Sequence, residues 1–318
     1  MSKTKLIFNL FSLLMVAFTL LVMFPYKMGL FSTLSNYSVQ FVFLFLLMGM
    51  IFLIIDTKRL LFTALGCSAV LCIFLKNNSN KNIILPVANI EGSINIAHIN
   101  LTNSENDVEA VLDMIFRTDP DVLSLQEYTP FWKNVLQEHL KGRYDNLYEL
   151  VRIDPHGLAF ASNLEVIRLD TFYSQSIPGL NLITTIGNRQ LEVISTYISP
   201  SLDRNSSELA DDQLSTINGV IRKNEIPSIV LGEFNHVYWS NKIRTFRSDN
   251  QLLNSRRNVP LTDFSVPVDH IFHTSDIECT SFKDLIDYQN RRLGILGSYQ
   301  FGRLPNEEET PSYGIQYE

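Results

Sequence analysis

Three long apolar runs dominate the first 81 residues, and polar residues interrupt them only briefly. The runs are Leu6–Phe24, Val39–Ile55 and Leu60–Leu75. A membrane-spanning helix needs about 20 apolar residues, so we predict three transmembrane helices at about 6–24, 39–55 and 60–75. A polar linker follows, up to residue 81. The two shorter runs allow another interpretation, in which they form one re-entrant hairpin or helices of a buried core.

The first run has a second interpretation as a cleaved signal peptide, because the basic segment MSKTK precedes it. No small-residue cleavage site follows the run, however. The run is also longer than the apolar region of such a peptide. We therefore interpret it as an uncleaved membrane anchor.

Beyond residue 81 the apolar runs shorten and take on strand-like or helix-like periodicity. Side chains alternate in Ser93–Ile99 as in a half-buried strand, and apolar residues recur at helical spacing within Asp107–Arg117. Further strands are predicted at 122–125, 158–161, 191–198, 228–231 and 268–272, and further helices at 131–140 and 208–222. This pattern predicts one α/β domain over residues 82–304, followed by a flexible polar tail at 305–318.

Charge is distributed unevenly between the two parts of the chain. Residues 1–81 hold seven of the 26 basic residues and one of the 33 acidic residues, which leaves 19 basic and 32 acidic residues in 82–318 and a formal charge of −13 there. Phosphate neutralisation needs clustered Lys and Arg. The acidic balance therefore argues against a long nucleic acid as the partner.

The basic residues around the apolar runs also indicate an orientation. Four fall on one side of three crossings and three on the other, namely Lys3, Lys5, Lys58 and Arg59 against Lys27, Lys76 and Lys81. The positive-inside rule then places the N-terminus in the cytoplasm. The prediction is a multi-pass protein of the cell (inner) membrane with an extracytoplasmic domain.

Polar side chains cluster where the predicted strands end. In chain order they are Asn100, Glu127, Tyr197, Glu233, Asn235 and Asp269. Each of them alone is commonly a cap, a solvated turn or a core residue. Their order and surroundings together favour a shared functional site.

Five segments carry a pattern that extends over about residues 92–303. The most specific is INIAHINLTNSENDVEAVLDMIFRTDPDVLSLQEYTP at 94–130, and the second is IVLGEFNHVYWS at 229–240. Weaker matches are HGLAFAS, VISTYISPS and VPVDHIF. The chain thereby resembles the endonuclease/exonuclease/phosphatase superfamily, and most strongly its bacterial membrane-anchored members. The resemblance implies a four-layer α/β sandwich, in which two packed β-sheets are flanked by helices.

The chemistry that this resemblance implies is hydrolysis of a phosphodiester or phosphomonoester with a divalent metal ion. Glu127 would be the main ligand of Mg²⁺ or Mn²⁺, with Asn100 beside it, and one or two ions are implied. Carboxylate oxygens suit these hard cations. Asn235 would hydrogen-bond the phosphate or the attacking water, and Tyr197 stands where many members have His. Asp269 matches an Asp that normally orients a catalytic His.

Two departures from the family pattern affect the residues that move protons. The family's GDFN is GEFN here, so Glu233 replaces the Asp that orients or deprotonates the attacking water. The family's terminal Ser-Asp-His is matched to residues 298–300, so Gln300 is expected in the place of the catalytic His. Glutamine can bind a phosphate oxygen but cannot carry the proton. His156 and His236 are the candidates to reach the phosphate instead, and His156 is preferred for proton transfer.

Two functions are compatible with these residues. The first is a membrane-anchored, metal-dependent phosphoester hydrolase with altered catalytic residues, which acts on a small phosphate ester or a lipid headgroup in preference to nucleic acid. In it Asn100, Gln300 and His236 would contact the substrate. The second is a catalytically inactive family member that binds a phosphate ligand or a protein at the membrane. The retained residues favour the first function, whereas the departures favour the second.

Overall fold

The N-terminal part of the chain folds into three helices, as the apolar runs predict. The computed structural model describes residues 3–24, 29–78, 85–88, 92–102, 107–256 and 267–302. Its first helices are α1 (Lys3–Met23), α2 (Ser38–Ile54), which follows a 3₁₀ helix at Gly29–Tyr37, and α3 (Lys58–Asn78). Helix α3 continues into the predicted linker. The rest of that linker and the predicted tail at 305–318 lie outside the described residues.

The three helices bury a narrow seam and leave many apolar side chains facing outwards. Val22, Phe45 and Leu71, one from each helix, are buried in the seam. Leu13 and Phe62 by contrast are 64% and 70% exposed. Soluble proteins rarely expose a continuous apolar surface of this kind. All three helices are long and apolar enough to cross a membrane.

Two six-stranded sheets make up the core of the remaining described residues. The strands are β1 (Ser93–Asn100), β2 (Val122–Gln126), β3 (Asn146–Leu150), β4 (Leu158–Ser162), β5 (Val166–Ser174), β6 (Ile177–Ile186), β7 (Arg189–Tyr197), β8 (Ser228–Glu233), β9 (Leu253–Asn254), β10 (Asp269–His273), β11 (Ile277–Ile286) and β12 (Arg292–Phe301). The first sheet has the order β11-β12-β1-β2-β4-β3, and the second has the order β5-β6-β7-β8-β10-β9. Both sheets are mixed, because β1 is parallel to β2 and β7 is parallel to β8.

Helices cover the outer face of each sheet. They are α4 (Val108–Thr118) and α5 (Pro130–Leu140) on the first sheet, and α6 (Arg204–Asn224) and α7 (Asn241–Asp249) on the second. A further apolar core, which includes Ile96, Leu182 and Ile271, lies between the sheets. The predicted fold class, a four-layer α/β sandwich, is confirmed.

The parallel pairs bring the carboxyl ends of four strands to one edge of the domain. Strands β1 and β2 end there with Asn100 and Gln126, and β7 and β8 end there with Tyr197 and Glu233. Strand β10 runs antiparallel to β8 and begins with Asp269 directly opposite Glu233. We call the edge marked by these five residues the strand-end edge.

The loop that follows β8 at the strand-end edge also contacts the N-terminal helices. Val237 and Trp239 of this loop pack against Phe74 of α3. The indole Nε1 of Trp239 donates a hydrogen bond of 2.7 Å to the carbonyl oxygen of Ser35. The loop that contains the candidate residue Asn235 is therefore fixed to the apolar helices.

Candidate active site

Two candidate residues stand in left-handed turns directly after strands. Glu127 follows β2 with φ 58°, and Asn235 lies just beyond β8 with φ 52°. Residues other than glycine seldom adopt this conformation, and those that do are frequent at functional sites. The Asn235 side chain secures its own turn, because Nδ2 donates to the carbonyl oxygen of Ile198 at 3.0 Å.

His156 lies beside these turns because Gly157 packs directly against the backbone that follows Glu127. A Cβ on Gly157 would lie 2.4 Å from the carbonyl oxygen of Tyr128, so only glycine allows this approach. The imidazole of His156 is 5.1 Å from the ring of Tyr197, centroid to centroid. Burial lowers the pKa of His156, and the Glu127 carboxylate opposes that shift. The structure therefore brings His156, Tyr197 and Glu127 together, as the sequence predicts.

Glu233 connects the two sheets through its carboxylate. Its Oε2 accepts hydrogen bonds from Asn100 Nδ2 at 2.7 Å and from Gln126 Nε2 at 3.0 Å. Burial, together with the nearby carboxylates of Asp269 and Glu127, raises the pKa of Glu233 to about 7. Three acidic side chains thus converge at the strand-end edge.

Tyr197 belongs to the same group of side chains. Burial and the negative charges of Glu233 and Glu127 raise the pKa of Tyr197 to about 12, although a hydrogen bond from Asn235 opposes the shift. The phenol therefore keeps its proton at neutral pH. It can donate or accept a hydrogen bond there, but it cannot act as a base.

Asp269 pairs with an arginine. Arg292 Nη2, at the start of β12, donates to Asp269 Oδ2 at 2.7 Å, and its Nη1 lies 3.7 Å from Asp284 Oδ1. Asp284 in turn receives two hydrogen bonds from the guanidinium of Arg256, at 2.9 and 2.7 Å. Asp269, for which the resemblance implied a His partner, thus holds a permanent cation, since arginine does not deprotonate in proteins.

The expectation that Gln300 stands in the place of the catalytic His is wrong. Strand β12 runs antiparallel to β1, so Gln300 lies opposite Ser93, at the far end of β1 from Asn100. Its Nε2 donates to the carbonyl oxygen of Val87 at 3.2 Å and to Glu278 Oε2 at 2.9 Å. Arg292, the first residue of β12, lies at the strand-end edge, whereas Gln300, the ninth, does not. At the strand-end edge, Arg292 contacts Asp269, and Gln300 does not.

His236 also lies apart from the group. Its ring is buried between Ser201 Oγ, at 2.8 Å, and the carbonyl oxygen of Phe234, at 2.8 Å. Burial lowers its pKa. The side chain lines a separate cavity with Lys242 and Met23. None of the contacts described for this ring supports the expected role of His236 in binding the substrate.

The oxygen atoms at the strand-end edge fit a divalent cation. Within the described residues, the Glu127 carboxylate has no hydrogen bond or ion pair, although it lies close enough to shift the pKa values of Glu233, Tyr197 and His156. Asn100 is less available, because its Oδ1 already accepts from Thr102 N and Oγ1 at 2.9 and 2.7 Å.

The described part of the chain contains no group of three His, Cys, Asp or Glu side chains that could hold a metal unaided. Mg²⁺ commonly needs only one or two carboxylates and completes its shell with water and substrate phosphate. The residues present therefore fit such an ion, with Glu127 as the main ligand.

Two residues of this site were given no role from the sequence. Gln126 precedes Glu127 and donates a hydrogen bond to Glu233. The Gln-Glu pair at the end of a predicted strand was the sequence feature that could have identified it. Arg292 had no sequence signal, because only its contact with Asp269 in the folded chain identifies it.

Comparisons with known proteins agree with this architecture. The model of the Endonuclease/Exonuclease/phosphatase family matches residues 88–312. A family protein from Bacteroides thetaiotaomicron is similar in structure, with 14% identity, a TM-score of 0.55 and coverage of 66% of this chain and 98% of that chain. The human nocturnin catalytic domain, solved with bound sulfate, has 15% identity, a TM-score of 0.52 and coverage of 68% and 97%.

A third similar structure is ANGEL2, a 2′,3′-cyclic phosphatase, in complex with adenosine-2′,3′-vanadate. It has 14% identity, a TM-score of 0.54 and coverage of 66% of this chain and 96% of that chain. A comparison with curated proteins gives no match. At such identities the structural likeness concerns the fold alone, whereas the family model covers most of the chain. This chain belongs to the endonuclease/exonuclease/phosphatase family.

Proposed function

We propose that this protein is a membrane-anchored, metal-dependent phosphoester hydrolase with altered catalytic residues. The observation that carries the proposal is the unpaired Glu127 carboxylate, which lies among Glu233, Tyr197 and His156 at the strand-end edge. Family members generally require a divalent metal ion. An ion held by Glu127 would neutralise charge on the phosphate oxygens.

The side chains around Glu127 would bind the phosphate and orient the attacking water. The guanidinium of Arg292, held by Asp269, supplies a fixed positive charge for a phosphate oxygen. The amide of Asn235 orients the phosphate or the attacking water. Oε2 of Glu233 accepts both amide donors, so its Oε1 faces no described partner and is the oxygen that can hold a water molecule.

A small phosphate ester or a lipid headgroup is the proposed substrate class. The formal charge of −13 on residues 82–318 disfavours a long polyanion. The three apolar helices and the distribution of basic residues around them support a multi-pass protein of the inner membrane with an extracytoplasmic domain.

The test is hydrolysis by the full chain in detergent micelles, with Mg²⁺ or Mn²⁺ compared with EDTA. Substrates are an aryl phosphodiester, an aryl phosphomonoester and phospholipid headgroups. We expect Glu127→Ala to lower metal-dependent turnover more than about 100-fold, because it removes the main metal ligand. Glu208→Ala, an exposed glutamate on α6, is the matched control and keeps the wild-type rate. Equal turnover in wild type and Glu127→Ala would refute the proposal.

Arg292 favours a second function, that of a non-catalytic phosphate-binding protein. The resemblance implied a His beside Asp269, and the guanidinium that contacts Asp269 instead can bind an anion but transfers no proton. This alternative predicts metal-dependent binding of inorganic phosphate or vanadate by the full chain, measured by calorimetry, without turnover of any substrate in the panel.

A further inference from the structure

A polar cavity lies where the apolar helices meet the sandwich, apart from the strand-end group. Its volume is about 640 Å³, and its walls come from Met23 and Phe24 on one side and from α6 and α7 on the other. Asp211, Lys242 and Arg244 are among the charged residues that line it. The cavity shares neither Glu127 nor Glu233 with the candidate active site.

A second, smaller groove of about 330 Å³ adjoins this cavity. It runs along α3 past Val70, Ile73 and Phe74. The groove and the polar cavity share Met23, Phe24 and Arg244, so Arg244 stands at the boundary between them. One space is lined mainly by apolar helix residues, and the other is lined mainly by polar residues of the domain.

The cationic groups at this junction differ in how they are engaged. Lys242 Nζ donates to the carbonyl oxygen of Ser207 at 2.9 Å and also pairs with Asp211. Arg244 makes no side-chain hydrogen bond or ion pair with any described residue, and it is exposed. A free guanidinium between an apolar groove and a polar cavity is complementary to an anionic group that joins an apolar chain to a polar head.

The position of Arg244 along the helices points to the same ligand chemistry. It lies beside the last residues of α1 and α3, both of which have the length of a membrane span. In a bilayer such helix ends reach the phosphate layer, where Arg and aromatic side chains are favoured.

We propose that these two spaces form a binding site for one phospholipid. Its phosphate lies at Arg244, an acyl chain lies in the groove along α3, and the headgroup enters the polar cavity. The inference rests on the proposed insertion of the helices into a membrane and is independent of hydrolysis. The bound lipid would contact both the helices and the domain and would stabilise their packing next to the hydrogen bond between Trp239 and Ser35.

Lipid binding is tested on the full chain, purified in a mild detergent and stripped of lipid. Native mass spectrometry counts the retained ligand, and the fluorescence of Trp132 and Trp239 reports thermal unfolding. The probes are phosphatidylglycerol, diacylglycerol, glycerol phosphate and inorganic phosphate. We expect one saturable phosphatidylglycerol per chain and a raised Tm, whereas the probes that lack either the phosphate or the acyl chains bind at least about 10-fold more weakly.

Arg244→Gln should weaken phosphatidylglycerol binding about 10-fold, because it removes the charge-assisted hydrogen bonds. Arg204→Gln, at an exposed position on α6, is the matched control and keeps wild-type binding. Glu127→Ala should bind the lipid normally, which separates this inference from the proposed hydrolase function. Equal binding by wild type and Arg244→Gln would overturn the proposal, as would equal binding of phosphatidylglycerol and diacylglycerol. Tight binding of inorganic phosphate alone would instead identify a simple anion site and would also overturn it.

Discussion

Two glutamates of the second sheet, Glu192 and Glu233, sit in different chemical surroundings although burial raises the pKa of both. Glu192, near the start of β7, accepts hydrogen bonds from Asn181 and Ser228, each at 2.8 Å, and from Asn224. All three of these donors are neutral, and no carboxylate contributes to its pKa shift.

Glu233, at the opposite edge of the same sheet, receives its donors from the other sheet and faces two further acids. Asn100 and Gln126 hydrogen-bond it, while the charges of Asp269 and Glu127 repel its own. The comparison teaches that burial alone does not distinguish a structural acid from a functional one. The distinguishing feature is the convergence of Glu233, Asp269 and Glu127 at the strand ends, where each negative charge raises the free energy of the others unless a cation lies nearby.

The largest expected effect contrasts the same substitution at the two glutamates. Glu233→Gln should lower metal-dependent hydrolysis by roughly 100-fold, since the amide cannot accept a proton from the water molecule and a general base commonly contributes at least that much. Glu192→Gln should leave the rate within about twofold of wild type, because Glu192 and its donors lie at the other end of the strands from the strand-end edge. Steady-state kinetics of both variants on one substrate is the measurement. Similar losses in both would remove the distinction between the two acids.

A smaller effect is expected at Arg292, which fixes the charge beside Asp269. Arg292→His replaces a permanent cation by a group that ordinarily titrates near pH 6.5. We expect kcat to fall by about 10-fold at neutral pH, with a second pH dependence between about pH 5 and 8 in addition to that of Glu233, whose pKa is raised to about 7. Arg291→His is the matched control, since Arg291 pairs with Asp287 and Asp107 and not with Asp269. Parallel pH profiles for wild type and Arg292→His would show that this position does not contact the reacting groups.

The smallest effect concerns stability at Glu192. Its pKa is higher in the folded than in the unfolded chain, so the folded state binds the proton more tightly. The stability contributed by this proton is full below the ordinary value of 4.5 and is lost as the pH rises through the folded-state pKa. Glu192→Gln should therefore lose less stability than wild type when the pH is raised from about 4.5 to neutrality. The difference between the two Tm changes measures the effect, at roughly 2–4 °C per kcal/mol. Identical pH dependence in both proteins would contradict it.

Local patterns predicted some strands of the two sheets and missed others. Strand β4 is a continuous buried run and was expected, whereas β6 was not. Pro178, Gly179 and Asn181 make β6 resemble a turn, since all three residue types are unfavourable in strands. In the folded chain Gly179 faces the ring of Phe172 on β5, and a Cβ there would lie 2.2 Å from that ring. The neighbouring strand explains this glycine, and no local pattern reveals it.

The site was predicted where each residue follows its own strand and was missed where two strands must be paired. Each of the residues Asn100, Glu127, Tyr197, Asn235 and Asp269 ends, follows or begins a strand in the described chain, and the fold brings them to one edge. Gln300 was misplaced because a match to Ser-Asp-His by residue type ignores the direction of β12. The antiparallel register of β12 against β1 places Gln300 at the far end of β1, whereas Arg292 at the start of β12 contacts Asp269.

By itself the sequence determined the properties that depend on neighbours along the chain. These are the three membrane-length apolar helices, the acidic domain and the polar residues at strand ends. The tertiary structure alone decided the contacts between distant segments, such as the hydrogen bond between Asn100 and Glu233 across 133 positions and the cavity beside Arg244. The physical reason is that hydropathy and strand periodicity act over a few residues, whereas charges and hydrogen-bond partners meet only when the sheets pack.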